Sequence, residues 1–280
     1  MTSDDPVVGP VGPPALHCMT LNVRRPVPHL RRAHPDAWPR RAPAIATLVR
    51  SEAPHLLAVQ EAVPEQVQHL RTALGSRWHA SVSGRGPSGG AEGVGFFVDR
   101  DRLRVGDTRT IALARHPERV GSRDWGAPFP RIAVLTELED RVTGVRFLAV
   151  ATHVDPFSPL AQVRSARLFG EVVHGVGLPT VAMADWNAGA GSASARILTA
   201  AGLRDTWDLV PDEDRPSSAG TYANYRTPKP QGARLDRILV REGRDARVAV
   251  DRVAISTRRP ADVWPSDHLP VHAVIRWEAP

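Results

Sequence analysis

Near the C-terminus, Pro265-Ser266-Asp267-His268-Leu269-Pro270-Val271 sets a carboxylate beside an imidazole between two prolines, at the head of the alternating stretch Val271 to Trp277. This pattern describes a constrained loop entering a strand, and an Asp-His pair there has the groups for proton transfer. Alone, such a pair is more often an ordinary surface loop. Asn22, Glu61, His153, Asp185, Asn187 and Asp236 alter that weighing, because each falls at or beside the end of an apolar run. Any one of them fits a turn or a cap. As a set they exceed what turns require: an amide, several carboxylates and two imidazoles at strand ends, where sheet folds gather side chains from distant segments into one cleft.

Carboxylates and amides without cysteine or a His-x-x-x-His pair favour a hard, oxygen-loving ion, Mg²⁺ or Mn²⁺, over zinc. Such ions commonly serve phosphate chemistry. Hydrolysis of a phosphoester needs charge neutralisation at the nonbridging oxygens, an in-line water and stabilisation of the leaving oxygen. The set has groups for all three.

The elements that must position these residues follow from periodicity. Leu16 to Val23 reads as a buried strand ending near Asn22, and a basic loop holding Arg24, Arg25, Arg31, Arg32, Arg40, Arg41 and Trp38 follows. Ile45, Leu48 and Val49 recur at helical spacing until Pro54, before the apolar strand His55 to Gln60 that leads to Glu61. Pro64 to Gly75 predicts a second helix. Strands are expected at 78–83, 94–99 and 102–112, then a hairpin at 131–139 and 145–152 with its turn at Thr143-Gly144, ending in His153 and Asp155. A helix opens at Pro159, a buried strand runs from Leu178 to Ala184 into Asp185-Trp186-Asn187, and a small-residue helix spans Ser192 to Ala201. Residues 211–233 read as a Pro-, Ser- and Gly-rich loop, followed by strands at 234–240 and 248–256. No repeat or dividing linker interrupts the pattern, so 15–280 is expected as a single domain. Residues 1–14, rich in Pro and Gly, are expected as a disordered tail.

The chain has 280 residues, a hydrophobic fraction of 42% and a formal charge of +6. Nearly every cation is arginine, with Lys229 the only lysine, so the basic excess reflects residue usage before it reflects nucleic-acid binding. Cys18, the only cysteine, excludes an intramolecular disulfide and a thiolate metal cluster. Neither a signal-peptide pattern nor an apolar stretch of membrane-spanning length is present. A cytoplasmic monomer with no obligate protein partner and no membrane association is expected.

The ordered motifs M-T-L-N-V, L-A-V-Q-E-A, A-T-H-V-D, M-A-D-W-N-A, L-D-R-I-L-V and P-S-D-H-L-P-V, from about Met19 to Trp277, resemble the endonuclease/exonuclease/phosphatase superfamily. Trp38 with Arg41, Gly121-Ser122 with Trp125, and Arg131 further resemble a bacterial branch similar to the nocturnin and deadenylase group. The resemblance implies an α/β (α+β) four-layer sandwich: two packed, mostly antiparallel or mixed sheets flanked by helices, with the site at strand ends. It implies that Glu61, with Asn22 beside it and Asp267 nearby, holds Mg²⁺ or Mn²⁺. Asp185 would orient or deprotonate the attacking water, and Asn187 and His153 would hold the phosphate. His268 would meet developing charge, with its ring oriented by Asp236. Arg24, Trp38, Arg41, Arg131 and Arg164 are expected substrate contacts.

The sequence departs from the family at Ala184, usually Gly, at Trp186, commonly Phe, and at Ala114-Arg115-His116-Pro117, more often Ser-Glu-Thr-Pro. Arg24 stands where some nuclease members carry an acid, which weighs against a second metal. The implied activity is phosphoester hydrolysis, with nucleic acid or a small phosphorylated metabolite as substrate and phospholipid a weaker third. A non-catalytic nucleic-acid-binding or interaction protein that keeps the fold is the alternative. Gly90 to Gly95 lacks the spacing of a dinucleotide loop, and Ser266 lacks a nucleophile-elbow context.

Overall fold

The computed structural model describes residues 5–31, 33–87, 89, 91–216 and 220–280. Apolar runs form twelve strands among these residues: β1 (Leu16–Asn22), β2 (Leu56–Ala62), β3 (Trp78–Gly84), β4 (Gly93–Asp99), β5 (Leu103–Ala112), β6 (Ile132–Asp140), β7 (Arg146–His153), β8 (Thr180–Asp185), β9 (Arg204–Asp205), β10 (Asp236–Arg241), β11 (Arg247–Ile255) and β12 (Val271–Glu278). The helices are α1 (Trp38–Glu52), α2 (Pro64–Leu74), α3 (Pro159–Val176) and α4 (Ala193–Ala200). One six-stranded sheet has the order β11-β12-β1-β2-β4-β3 and the other β5-β6-β7-β8-β10-β9. Both are mixed, because β1 pairs with β2 and β7 with β8 in parallel while the other pairings are antiparallel.

The central strands are buried on both faces, which accounts for their near-continuous apolar runs. Cys18, Leu56, Phe96, Val134, Phe147, Ala149, Met183, Ile238 and Ala273 fill the space between the sheets. On the outer face of the first sheet, Met19, Leu21, Leu57, Val59 and Phe97 meet Ile45, Leu48 and Val49 of α1 and Leu70 of α2. Outside the second, Leu135, Leu148, Val150, Ala182 and Leu239 meet Ala166, Phe169 and Val173 of α3 and Leu198 of α4. The result is the four-layer α/β sandwich that the resemblance implied.

Two β-α-β crossovers position the site. A parallel pair joined by a helix ends both strands at the same edge of a sheet. In the first sheet β1-α1-β2 therefore places Asn22 opposite Gln60, one residue before Glu61. In the second, β7-α3-β8 sets His153 opposite Asp185, and antiparallel β10 starts with Asp236 opposite the same Asp185. His268 precedes β12, whose Val271 lies opposite Thr20 of β1.

Residues 5–14, expected as part of a disordered tail, instead lie against the domain; residues 1–4 fall outside the described residues. Backbone N–H groups of Val7, Val8 and Gly9 donate to the buried Glu52 carboxylate at 2.9, 3.0 and 3.2 Å. Arg252 Nη2 donates to the Val7 carbonyl at 2.8 Å, and Arg102 donates to the carbonyls of Pro14 and Ala15 at 2.8 and 2.9 Å. A segment too rich in Gly and Pro for periodicity is thus held by a carboxylate far along the chain. Arg32, Gly90 and part of the 211–233 loop, 217–219, also lie outside the described residues.

Beside this segment, His17 and His272 face one another, both 0% exposed, with Nε2 of His17 3.0 Å from Nδ1 of His272. Burial draws the His17 pKa down to about 3; His272 and His55 add to this, while Glu52 and the Gly9 backbone oppose it. Burial likewise draws His272 down to about 4 against Glu52, with Arg252 and Arg258 assisting. Both rings are neutral in the fold but protonate near 6.5 when unfolded. Their contribution to stability is complete above pH 6.5 and is lost as pH falls toward 4 and then 3. Melting temperatures across this range should fall less steeply for His272→Gln than for the wild type; parallel curves would refute this assignment. Glu52→Ala should cost about 3 kcal/mol in urea denaturation, since it removes a buried carboxylate bonded to backbone N–H groups and to Arg258.

Candidate active site

Asp185 is the hub of the site and is 1% exposed. Its Oδ1 accepts the Asn187 backbone N–H at 3.0 Å and its Oδ2 accepts Asn22 Nδ2 at 3.1 Å. His153 Nε2 and His268 Nε2 stand 3.5 and 3.8 Å from the same Oδ2. The Asn22 amide also donates to Glu61 Oε1 at 3.0 Å, so one side chain from the first sheet ties Glu61 to an acid of the second. Glu61 departs from regular strand geometry at φ 59°, within the register shift between Val59 and Ala62, and this break turns its carboxylate out of the ladder. Asn187, at φ 49°, folds its Nδ2 back to the Val154 carbonyl at 2.8 Å.

The two imidazoles differ in charge at neutral pH. Burial lowers the His153 pKa to about 4 despite the neighbouring Asp185 carboxylate. Burial also disfavours charge on His268, but Asp236, Asp185 and Asp267 outweigh it and push its pKa up to about 10. The Asp236 Oδ2 lies 2.8 Å from His268 Nδ1, which fixes the ring and leaves Nε2 facing Asp185. Thr221 Oγ1 accepts the Leu235 and Asp236 N–H groups at 2.9 and 3.0 Å, holding the start of β10. His268 is accordingly a cation and His153 a neutral hydrogen-bonding group.

Burial pushes the Glu61 carboxyl up, but His153, the Asn22 amide, the Arg25 N–H and His268 together hold its pKa below the ordinary value. Burial pushes Asp267 up and Glu61 adds to this, against His268 and Arg24. Glu61 thus adds to the cost of charge on Asp267, and two carboxylates so related offer oxygen donors, which suit a hard divalent cation better than zinc. Asn22 aims its N–H donors at Glu61 and Asp185, and its oxygen accepts the Arg24 N–H at 2.9 Å. Its oxygen accepts a backbone N–H much as Glu61 Oε2 does from Arg25 at 3.2 Å. Asp185, Asp236 and His268 also bring ligand atoms within 4.8 Å of one another. The Asp236–His268 hydrogen bond occupies that imidazole's Nδ1, so the cluster reads as a charge pair beside Asp185 more readily than as a second metal site.

The expected substrate contacts divide. Arg131 Nε lies 3.5 Å from Asp155 Oδ2, and its side chain lines a small cavity with Glu61 and His153. Arg24 stays at the site, 3.6 Å from Asp267 and 3.2 Å from Asp36. Trp38 is corrected: it opens α1 and is buried in the core between that helix, α2 and the first sheet, with its ring edge-on to His69, where no base could stack on it. Arg41 is corrected too: it is 0% exposed, and its guanidinium donates to the carbonyls of Val23, Arg24, Asp36 and Pro265. Arg164 is exposed on α3, with no hydrogen bond or ion pair to a site residue among the described residues.

Several site residues escaped periodicity because they lie in loops or at irregular strand starts. Arg85 pairs with Glu92 at 3.0 Å, Glu92 also meets Arg25 at 3.2 Å, and Arg85 and Glu92 line the same cavity as Glu61, Arg131 and His153. The one available signal was an arginine and a glutamate flanking the Gly-rich stretch before β4. Asp36 gathers Arg24, His29 and the Tyr225 hydroxyl beneath the basic loop.

The Endonuclease/Exonuclease/phosphatase family model matches residues 19–268. No curated protein sequence matches the chain. Among solved structures, an endonuclease/exonuclease/phosphatase from Bacteroides vulgatus has 25% identity and a TM-score of 0.83, covering 94% of this chain and 99% of that one. A mannosyl-6-phosphatase from Bacteroides thetaiotaomicron has 25% identity and a TM-score of 0.81, covering 93% and 99%. TDP2 from D. rerio, complexed with a single-strand DNA product, shares the fold at 15% identity and a TM-score of 0.73, covering 94% and 99%. The match over most of the sequence and the likeness of fold agree: this chain belongs to the Endonuclease/Exonuclease/phosphatase family.

Proposed function

We propose that the protein is a Mg²⁺- or Mn²⁺-dependent phosphoesterase that removes a terminal phosphate from a small phosphorylated metabolite. The observation that carries hydrolysis is the convergence on Asp185 of an amide, a neutral imidazole and an imidazolium inside a buried pocket. The bound cation, held by Glu61 and Asp267, would supply charge neutralisation at the phosphate. Asp185 orients a water and takes its proton as the oxygen attacks phosphorus. The phosphorus–oxygen bond to the leaving group breaks, giving inorganic phosphate and, after protonation, an alcohol. Asn187 and neutral His153 hold nonbridging oxygens, and the cationic His268, oriented by Asp236, meets the growing negative charge.

A small substrate is favoured over a nucleic acid by the engagement of the basic loop. Arg24 pairs with Asp36, Arg25 with Glu92, and Arg41 with backbone carbonyls, while Trp38 is buried. In this loop the tryptophan and the arginines nearest the site are thus taken up by the protein itself and are not offered to a single strand. The mannosyl-6-phosphatase likeness supports the same choice.

Purified protein with Mg²⁺ should release phosphate from sugar phosphates or nucleoside monophosphates and stop on EDTA addition. Glu61→Ala and His268→Ala should each lower kcat/KM by roughly 100- to 1000-fold. Retained activity in both variants overturns the site assignment. Cleavage of single-stranded DNA without release of phosphate from any monoester would replace the phosphatase reading with a nuclease.

A further inference from the structure

Beside the Asp236–His268 pair lies a cleft of about 380 Å³, lined by residues that include Tyr222, Ala223, Asn224, Arg226, Lys229 and Leu235. Its volume falls in the range of small-ligand pockets. Its wall is continuous with the reacting groups. Tyr222 packs its ring 5.1 Å from that of His268 and forms an isolated bridge with it. Leu235 immediately precedes Asp236, and the N–H groups of Ala223 and Asn224 donate to the Asp267 carbonyl at 2.8 and 2.9 Å. Tyr222 is 51% exposed, so part of its ring stays open beside His268 on the side of the cleft.

The charge of this cleft is one-sided. Arg226 and Lys229, the chain's single lysine, both line it, no acid does, and neither cation has a salt bridge among the described residues. Other arginines near the site are paired, Arg24 with Asp36 and Asp267, Arg25 and Arg85 with Glu92, and Arg131 with Asp155. The backbone that presents the two cations is strongly bent, with positive φ at Asn224, Tyr225 and Gln231. The bend is fixed from beneath, where the Tyr225 hydroxyl donates to the buried Asp36 carboxylate. An aromatic face next to the reacting centre and two unpaired cations beyond it describe a receptor for a ring-bearing leaving group with an anionic substituent.

We infer that this cleft is the leaving-group subsite and that Arg226 and Lys229 select phosphomonoesters carrying a second anionic group, a phosphate or a carboxylate. The inference rests on the phosphoesterase reading above and adds the class of substrate. It commits to a compact molecule, since the cleft would hold a single ring and its substituent.

Phosphate release would be measured for glucose 6-phosphate against glucose 1,6-bisphosphate, and for glycerol 3-phosphate against 3-phosphoglycerate, which separates a second phosphate from a carboxylate. The expected kcat/KM ratio favours at least one of the two partners with a second anionic group on the order of tenfold or more, the effect of one charge-assisted hydrogen bond. In Arg226→Ala/Lys229→Ala the ratio should fall to about one, through KM. A ratio near one in the wild type, or a preference that survives in the double variant, overturns the proposal. So does faster turnover of a short oligonucleotide that the double variant impairs instead. If the wild type hydrolyses no probe, the phosphoesterase reading falls, and the cleft is judged by calorimetric titration with fructose 1,6-bisphosphate. Binding weakened by the double variant then upholds Arg226 and Lys229 as the anion-selecting groups of the cleft while its leaving-group role falls with the reaction, and equal or absent binding overturns the proposal whole.

Discussion

One hydrogen-bonding side chain joins the two halves of this molecule where it matters. Asn22, at the end of a strand in the first sheet, donates to Glu61 beside it and to Asp185 across the interface, in the second sheet. Buried carboxylates at facing strand ends repel unless donors or cations stand between them. Here the amide, the two imidazoles and Arg24 take that place, so the packing distance between the sheets and the electrostatics of the site are a single constraint. A slip of β1 or β8 by one residue against its neighbours would turn its strand-end side chain to the opposite face.

The same constraint separates the two histidines. Both are buried, and both lie near Asp185, yet His268 has a dedicated carboxylate on its far nitrogen and His153 has none at that distance. Burial then prevails at His153 and charge pairing at His268. One residue type thus provides a neutral donor and a fixed cation within a single pocket, and register sets the difference, since His153, Asp185 and Asp236 lie opposite one another across β7, β8 and β10.

Most strands and the strand-end polar residues were legible because a doubly covered strand must be apolar until it emerges, and the first polar residue after it marks the edge. Asn22, Glu61, His153, Asp185 and Asp236 all follow or begin such runs. What was not legible depends on partners far away in the chain. Trp38 and Arg41 read as a stacking ring and a free cation, but burial is a tertiary property, and α1 turns both inward. The segment 5–14 has no periodicity of its own because Glu52 orders it through its backbone. Arg85 and Glu92 flank a Gly-rich loop whose pattern says nothing of the acid at the end of β2 that they approach, and β9 is too short to show alternation at all.

The placement of β12 between β1 and β11 has a consequence for the time at which the chain becomes competent. The pocket draws its members from Asn22 near one end of the sequence to His268 near the other, and the strand after His268 must insert beside the first strand to bring that imidazole to Asp185. Early-synthesised segments can form the β1-α1-β2 and β7-α3-β8 crossovers, since their contacts are comparatively close in sequence. The strand-end cluster around Asp185, however, closes only with β12. A chain cut short of β12 would carry Glu61 and Asp185 in partly folded surroundings without the His268 imidazolium that answers them, so the cluster stays incomplete until translation has passed Val271.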